Sequence, residues 1–382
     1  MFDYIKIEGF RSFKKVELEM PRLAVLIGPN GGGKSNFLDL MSLMSEAAQG
    51  QLEKGVGIRG GADCVGFGFS SLRNVFVEFH FQGESLPNVR FKLGFDVAFA
   101  TSNVQVEEVV EEPTTERNGQ LSVVKRDRNE CVFREGEIEE RKTLEWASEL
   151  AIFQVRDLSK YPTPYRLLSN IQEWTLYRDI DVGPESPVRR PEVLRPVVRL
   201  LTDGRNLSSV LYTMQQDHEE IWEDIQGILK TAYPDFVKLK VPAGGGDGKV
   251  HLRWFERPYE KQGLSANLLS DGTLKLLCLI AILKSPNPPS LICIDEPELG
   301  LHPDWIELVA ELLQDAAART QVTVATHSPH IVAKLDPDQI IVTEKENGET
   351  RLERLSAKDL ERWLRDFNLA DLWLAGHIGG RP

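Results

Sequence analysis

The octapeptide Gly28-Pro29-Asn30-Gly31-Gly32-Gly33-Lys34-Ser35 constrains this chain more than any other feature, because it satisfies G-x-x-x-x-G-K-S in the context that gives the pattern a mechanism. Before it runs an apolar strand, Leu23-Ala24-Val25-Leu26-Ile27. After it, Phe37, Leu38, Leu40, Met41 and Met44 recur as one buried face and predict a helix from Asn36 to about Ala48. A glycine-rich backbone at that junction can turn its N–H groups inward, and the helix adds the positive end of its dipole. Lys34 then neutralises the terminal phosphates, and Ser35 offers a hydroxyl to Mg²⁺. A nucleoside triphosphate is the ligand implied. No Asn-Lys-x-Asp base-reading motif occurs, so ATP is expected rather than GTP.

A metal-bound nucleotide also requires a carboxylate at a strand end, and Leu291-Ile292-Cys293-Ile294-Asp295-Glu296 supplies adjacent acids after four apolar residues, a Walker B pattern. Asp295 is expected to orient Mg²⁺, and Glu296 to act as general base on the attacking water. Val322-Thr323-Val324-Ala325-Thr326-His327 is a further buried strand, which would place His327 at the same edge, within reach of the γ-phosphate or the water. His327 and His330 lack the companions that a metal site needs. Between these segments, Ser270-Asp271-Gly272-Thr273 precedes an apolar run from Leu274 to Leu283 and reads as a helix N-cap, suited to any buried helix or to an anion.

In order, Gly28 to Ser35, Ser270 to Thr273, Asp295-Glu296 and His327 resemble the phosphate loop, signature, Walker B and switch histidine of ABC-type ATPase heads. Gly9-Phe10-Arg11-Ser12-Phe13, Gly33-Lys34-Ser35-Asn36, Glu296-Pro297-Glu298-Leu299-Gly300-Leu301-His302-Pro303 and Ala325-Thr326-His327-Ser328-Pro329 are similar to the SMC/RecF-like branch, especially the small predicted AAA-family ATPases of bacteria and archaea. The resemblance implies ATP and Mg²⁺ as cofactors and a P-loop α/β head, with a mixed, largely parallel core sheet, an antiparallel β subdomain and a helical insertion. It implies nucleotide contacts from Arg11, Ser12, Asn30, Gly31, Gly32, Gly33, Lys34, Ser35 and Asn36, with Lys34, Glu296 and His327 catalytic. Metal contacts would come from Ser35, Asp295 and a Q-loop glutamine, for which Gln154, at the end of Leu150-Ala151-Ile152-Phe153, is the candidate. It further implies two copies meeting face to face, with Ser270 and Gly272 of one reaching the γ-phosphate held by Lys34 of the other, and Leu299 to His302 crossing between them. The signature Ser-Asp-Gly-Thr departs from the transporter form Ser-Gly-Gly-Gln and leaves the charge beside that phosphate open. A transporter ATPase is disfavoured by that departure and by the long insert.

The chain of 382 residues suggests three regions: a lobe over 1–139 with the phosphate loop and an antiparallel sheet from Val75 to about Glu137, a helical insertion over 140–235, and a second lobe over 236–382. The clearest insertion helix runs from Leu207 to Thr231, with no heptad long enough for a coiled-coil arm. The stretch after 345 is too short for the Toprim nuclease of the overcoming-lysogenization-defect family, so no nuclease is expected within this chain. A formal charge of −13 opposes DNA held by counterion release, and Lys125-Arg126-Asp127-Arg128 and Arg189-Arg190 read as solvated surface, leaving DNA an open partner. No apolar run approaches the roughly 20 residues of a membrane span, and no signal-peptide layout opens the chain, so a cytoplasmic protein without a membrane partner is expected. Cys278 and Cys293 sit in apolar runs as core residues. In the tail, Leu360, Trp363, Leu364 and Phe367 have helical spacing, a helix expected to pack on its own domain.

Two functions fit these residues. One is an ATP-hydrolysing switch that dimerises around ATP and controls DNA or a separately encoded effector protein, in DNA maintenance or phage defence. The alternative is a nucleotide-gated binding module with little turnover that recruits a separate nuclease or toxin.

Overall fold

The computed structural model describes all residues except 68–72, 84–85, 99–100, 114–118, 136–137, 245–247 and 380–382. Among the residues outside this description are Glu137, where the sequence places the end of the antiparallel sheet, Asn118 of the turn-forming pair Asn118-Gly119, and Gly245 to Asp247 of the glycine-rich stretch Ala243–Gly248.

Strands β1 (Phe2–Phe10) and β2 (Phe13–Glu19) form a hairpin, and β3 (Leu23–Ile27) leads into α1 (Lys34–Ala48). Two short helices, α2 (Leu52–Ile58) and α3 (Ala62–Val65), precede six strands: β4 (Arg73–Phe81), β5 (Val89–Ala98), β6 (Thr101–Glu111), β7 (Leu121–Asp127), β8 (Glu130–Glu135) and β9 (Ile138–Thr143). These join the first hairpin in an eight-stranded antiparallel sheet of order β2-β1-β4-β5-β6-β7-β8-β9. The alternation read in the sequence therefore becomes a sheet with one face on the core, as antiparallel sheets allow.

Helices α4 (Ala151–Gln154) and α5 (Pro162–Gln172) follow, then β10 (Thr175–Tyr177) and β11 (Glu192–Val193). Helices α6 (Leu207–Asp217) and α7 (Glu219–Ala232) replace the single helix expected there, because His218 (φ −137°, ψ 66°) breaks the helical path. Small strands β12 (Phe236–Lys240), β13 (Lys249–Val250), β14 (Arg253–Glu256) and β15 (Leu264–Ser265) lead to α8 (Asp271–Leu283). The remainder alternates: β16 (Leu291–Asp295), α9 (Pro303–Ala317), β17 (Gln321–Ala325), α10 (Pro329–Val332), β18 (Ile340–Glu346) and β19 (Glu349–Arg354). The expected tail helix is instead α11 (Ala357–Leu360) and a 3₁₀ turn at Trp363–Arg365, before α12 (Leu369–Leu374).

The central sheet has the order β10-β16-β17-β3-β18-β19, with β19 alone antiparallel to its neighbour. Every residue of β3 and β17 is buried, which a strand achieves only when both sheet faces are covered. Along β3, Ala24 and Leu26 enter one core with α1 and the eight-stranded sheet, while Leu23, Val25 and Ile27 enter another with α8 and α9. Within the segment 140–235, β10 pairs with β16 and α5 packs on α1.

Candidate nucleotide site

Parallel strands bring their C-terminal ends to one edge, and three such ends carry the polar residues expected to act on nucleotide. β3 runs into the phosphate loop, β16 ends at Asp295, and β17 stops just before Thr326 and His327. Register pairs Asp295 with Ala325 and Ala325 with Leu26, so the three ends are level.

The loop is braced from behind. At Gly33 (φ 113°) a Cβ would stand 2.5 Å from Thr350 Oγ1, and at Gly28 (φ 141°) 2.2 Å from the Thr343 carbonyl oxygen, so only glycine fits. Thr350 Oγ1 donates to the Gly32 carbonyl at 2.9 Å and lies 2.8 Å from Ser12 Oγ, which in turn accepts from Asn36 Nδ2 at 2.7 Å. Ser12 and Asn36, expected to touch nucleotide, also hold the loop's shape through these bonds. Gly31 and Asn30 are exposed on its outer side. Lys34 Nζ donates to the carbonyls of Gly28 (2.8 Å) and Pro29 (3.2 Å). Burial lowers the Lys34 pKa, against the opposing pull of Glu296, Asp295 and Glu298.

Beside the loop, four charges form a chain. Arg11 pairs with Asp39 at 2.5 Å and donates to Asn36 Oδ1 at 3.0 Å; Arg178 pairs with Asp39 at 3.1 Å and with Asp295 at 2.8 Å. Both carboxylates are nearly enclosed, with side chains 12% and 11% exposed. Glu296 follows at φ 49°, a left-handed backbone that non-glycine residues adopt at a penalty of about 1 kcal/mol or more, and that recurs where a site needs one side chain turned out. Glu298, two residues on, is largely buried; its Oε1 accepts from Thr326 Oγ1 (2.8 Å) and from the His327 backbone N–H (2.7 Å). Burial raises the Glu298 pKa. Burial first, then the Lys34 charge, lowers the His327 pKa from its ordinary 6.5, leaving a neutral imidazole at pH 7.

The structure therefore gathers Lys34, Asp295, Glu296 and His327 around one edge, with Ser35 exposed beside them. Gln154 is not among them. Its side chain donates to the Trp146 carbonyl and accepts from the Glu145 N–H, and the neighbouring Phe153 ring abuts Gly50, past the far end of α1. A 15-residue helix separates that end from Lys34 by about 22 Å, so Gln154 does not reach the metal position expected of it. The side chain beside Asp295 at the end of the adjacent strand is Arg178. Its strand is only three residues long, too short to show in the apolar pattern. Asp39 left a legible trace, a carboxylate between Leu38 and Leu40 on a buried helix face; Thr350 left none, since only the packing of β19 brings it near.

Ser270 caps α8 as expected, its Oγ accepting from the Thr273 N–H at 3.1 Å. A Cβ on Gly272 would lie 2.9 Å from the Gly300 carbonyl oxygen, so the signature packs directly on the loop after Glu298. Ser270 is exposed, and Leu268 (67%) and Leu299 (60%) flank it as exposed apolar side chains. Neither basic spot read as solvated is wholly so: Arg126 (1% exposed) in one and Arg189 (7%) in the other are buried. Among the described residues no cluster of metal-ligating side chains such as His327 with His330 forms, and no helix is long and apolar enough to cross a membrane.

The oxygen-only pair of Ser35 hydroxyl and Asp295 carboxylate suits Mg²⁺, and Gly31 faces open space where a phosphate-binding backbone must stay bare.

Residues 23–333 match the family described as "AAA domain, putative AbiEii toxin, Type IV TA system". A 74-residue stretch is 32% identical to the "Retron Vc95 probable ATPase" of Vibrio cholerae serotype O1 biovar El Tor, covering 19% of this chain and 14% of that protein. Among solved structures, an Smc head bound to the C-terminal winged-helix domain of ScpA superposes with TM-score 0.53 at 12% identity, over 94% of this chain and 99% of that one. The Pyrococcus furiosus Smc head with an extended coiled coil, bound to the C-terminal domain of ScpA, does so with TM-score 0.53 at 12% identity, over 96% and 98%. The fold is that of an SMC-like head.

Proposed function

The chain belongs to the AAA domain family of putative AbiEii toxins, an SMC-like ATPase head, and from that premise we propose that it binds Mg·ATP, hydrolyses it, and uses the cycle to bring a pair of copies together and release them. One observation carries the chemistry: a buried lysine, two adjacent acids and a histidine meet at the level ends of neighbouring parallel strands. Lys34 and the loop N–H groups receive the terminal phosphates, and Ser35 with Asp295 hold the metal, which when bound neutralises charge on the β- and γ-phosphates. Glu296 takes the proton of the attacking water. His327, whose imidazolium form is disfavoured by burial and by Lys34 and whose backbone N–H is held by Glu298, orients that water or the γ-phosphate. Arg11, tied to Asp39 and to Asn36 at the start of α1, adds a cation beside the loop.

The joining of copies is supported by the exposed signature cap and by the two apolar side chains beside it, Leu268 and Leu299. In that arrangement Ser270 and Gly272 of one copy face the nucleotide held by Lys34 of the other. The switch works through a separately encoded effector, in DNA maintenance or phage defence.

The test is Glu296→Gln. Phosphate release should fall by a factor of about 10² to 10⁴, the usual worth of a general base, while ATP binding and ATP-dependent dimers persist. Lys34→Ala should lose ATP binding in calorimetry. Unchanged phosphate release and unchanged cellular activity in Glu296→Gln would show that Glu296 is not the base; negligible release from the parent, with cellular activity kept in Glu296→Gln, would instead favour a binding module that recruits a nuclease or toxin without turnover.

A further inference from the structure

The signature of this chain contains a charge problem. Ser270-Asp271-Gly272-Thr273 puts a carboxylate on the first residue of α8, where the helix dipole welcomes an acid but where, in the proposed pairing of copies, a polyanionic triphosphate must also arrive. Asp271 is well exposed, with 65% of its side chain open to solvent, so burial does not mask its charge.

Arg189 answers it from inside the same chain. The residue lies in a short 3₁₀ turn, Pro187–Arg189, and its side chain is only 7% exposed. Nε donates to the carbonyls of Val182 and Gly183, both at 2.9 Å, and one terminal nitrogen donates to those of Ala266 (3.1 Å), Asn267 (3.4 Å) and Leu269 (2.8 Å). The other terminal nitrogen pairs directly with Asp271 Oδ1. The carbonyl contacts fix a planar fork in one orientation, which a lysine cannot reproduce. The cation is thereby held against the signature carboxylate while Ser270 stays exposed at the surface.

We propose that Arg189 is a positioning residue for nucleotide recognition between copies: it cancels the charge of Asp271, so that the Ser270–Gly272 cap can receive the partner's triphosphate. This rests on the proposed contact between the signature and the second copy's nucleotide. The form Ser-Asp-Gly-Thr then works as an anion receptor only together with Arg189.

The experiment measures ATP-dependent dimerisation by sedimentation in the hydrolysis-blocked Glu296→Gln background. Arg189→Met should weaken dimers roughly tenfold at low salt, about the effect of one poorly screened charge beside a phosphate. ATP binding to the monomer, which uses the phosphate loop and not the signature, should stay as it was. Adding Asp271→Asn should restore dimers, and Asp271→Asn alone should dimerise at least as well as the parent. Because the deficit is electrostatic, it should also shrink as salt is raised from about 0.05 to about 1 M, where the Debye length falls to about 3 Å. A deficit that survives Asp271→Asn and does not respond to salt would show Arg189 to be structural only and overturn the proposal. Should Arg189→Met not fold, Asp271→Asn still decides: weaker dimers than the parent would mean that the carboxylate itself is needed. Absence of ATP-dependent dimers in Glu296→Gln would overturn the underlying trans contact, a distinct result.

Discussion

At the residue scale, Lys34 and Ser35 are the side chains proposed to receive phosphate and metal, while a separate group of side chains keeps the loop in shape. Ser12, Asn36 and Thr350 are hydrogen-bonded to one another and, through Thr350, to the Gly32 carbonyl. Thr350→Val keeps the volume and removes the donor to the Gly32 carbonyl, leaving that buried acceptor unpaired, a loss of about 1–3 kcal/mol. Thermal unfolding should detect it, and ATP affinity should fall with it, although Thr350 lies more than 300 residues from the loop in sequence. The chain Arg11–Asp39–Arg178–Asp295 follows the same logic. The acid proposed to hold the metal, Asp295, is legible because it ends an apolar strand, whereas its arginine partner follows three residues of strand and offers no pattern to read.

At the element scale, the link between the antiparallel sheet and α4 depends on a buried ion pair. Glu107 on β6 accepts from the Ala151 and Ile152 N–H groups, and Arg126 on β7 donates to the carbonyls of Ala147 and Glu149. The two side chains are fully enclosed and 3.8 Å apart. Glu107→Ala leaves Arg126 buried without its counter-charge and should destabilise the protein by about 3–5 kcal/mol in urea unfolding. The pH dependence has a definite sign. Burial raises the Glu107 pKa above its unfolded 4.5, so the folded protein keeps this proton to higher pH than the unfolded chain does. The stabilisation this group contributes is complete below about 4.5 and is lost as pH rises through the folded value. Glu107→Gln cannot titrate, so its stability relative to the parent should be higher at pH 8 than at pH 5. From sequence, Lys125-Arg126-Asp127-Arg128 reads as solvated. Only the sheet register shows that alternate residues of β7 turn inward, Arg126 among them.

At the scale of the whole molecule, the exposed apolar pair Leu268 and Leu299 lies beside the signature cap and away from either core. Leu299→Asp or Leu268→Asp should leave monomer stability and ATP binding nearly unchanged, as surface substitutions generally do, while abolishing ATP-dependent dimers in sedimentation. Persistence of dimers in both variants would place the interface elsewhere. Much of this architecture follows from local pattern. Fully apolar runs such as Leu23–Ile27 and Leu291–Ile294 must be strands covered on both faces, and a glycine-rich turn before an amphipathic helix must present N–H groups to an anion; both are rules of neighbouring residues and need no partner from afar. Local pattern likewise carries the Ser270 cap, the Asp295-Glu296 pair and His327. Tertiary structure alone decided which side chains answer these charges. Arg178 on Asp295, Arg189 on Asp271 and Thr350 on Gly32 each join positions from 82 to 318 residues apart, and the hydrogen-bond chemistry that pairs them has no period and no spacing rule along the chain. The same holds for Gln154, whose type and setting suit a metal ligand until the length of α1 puts it at the wrong end of the helix.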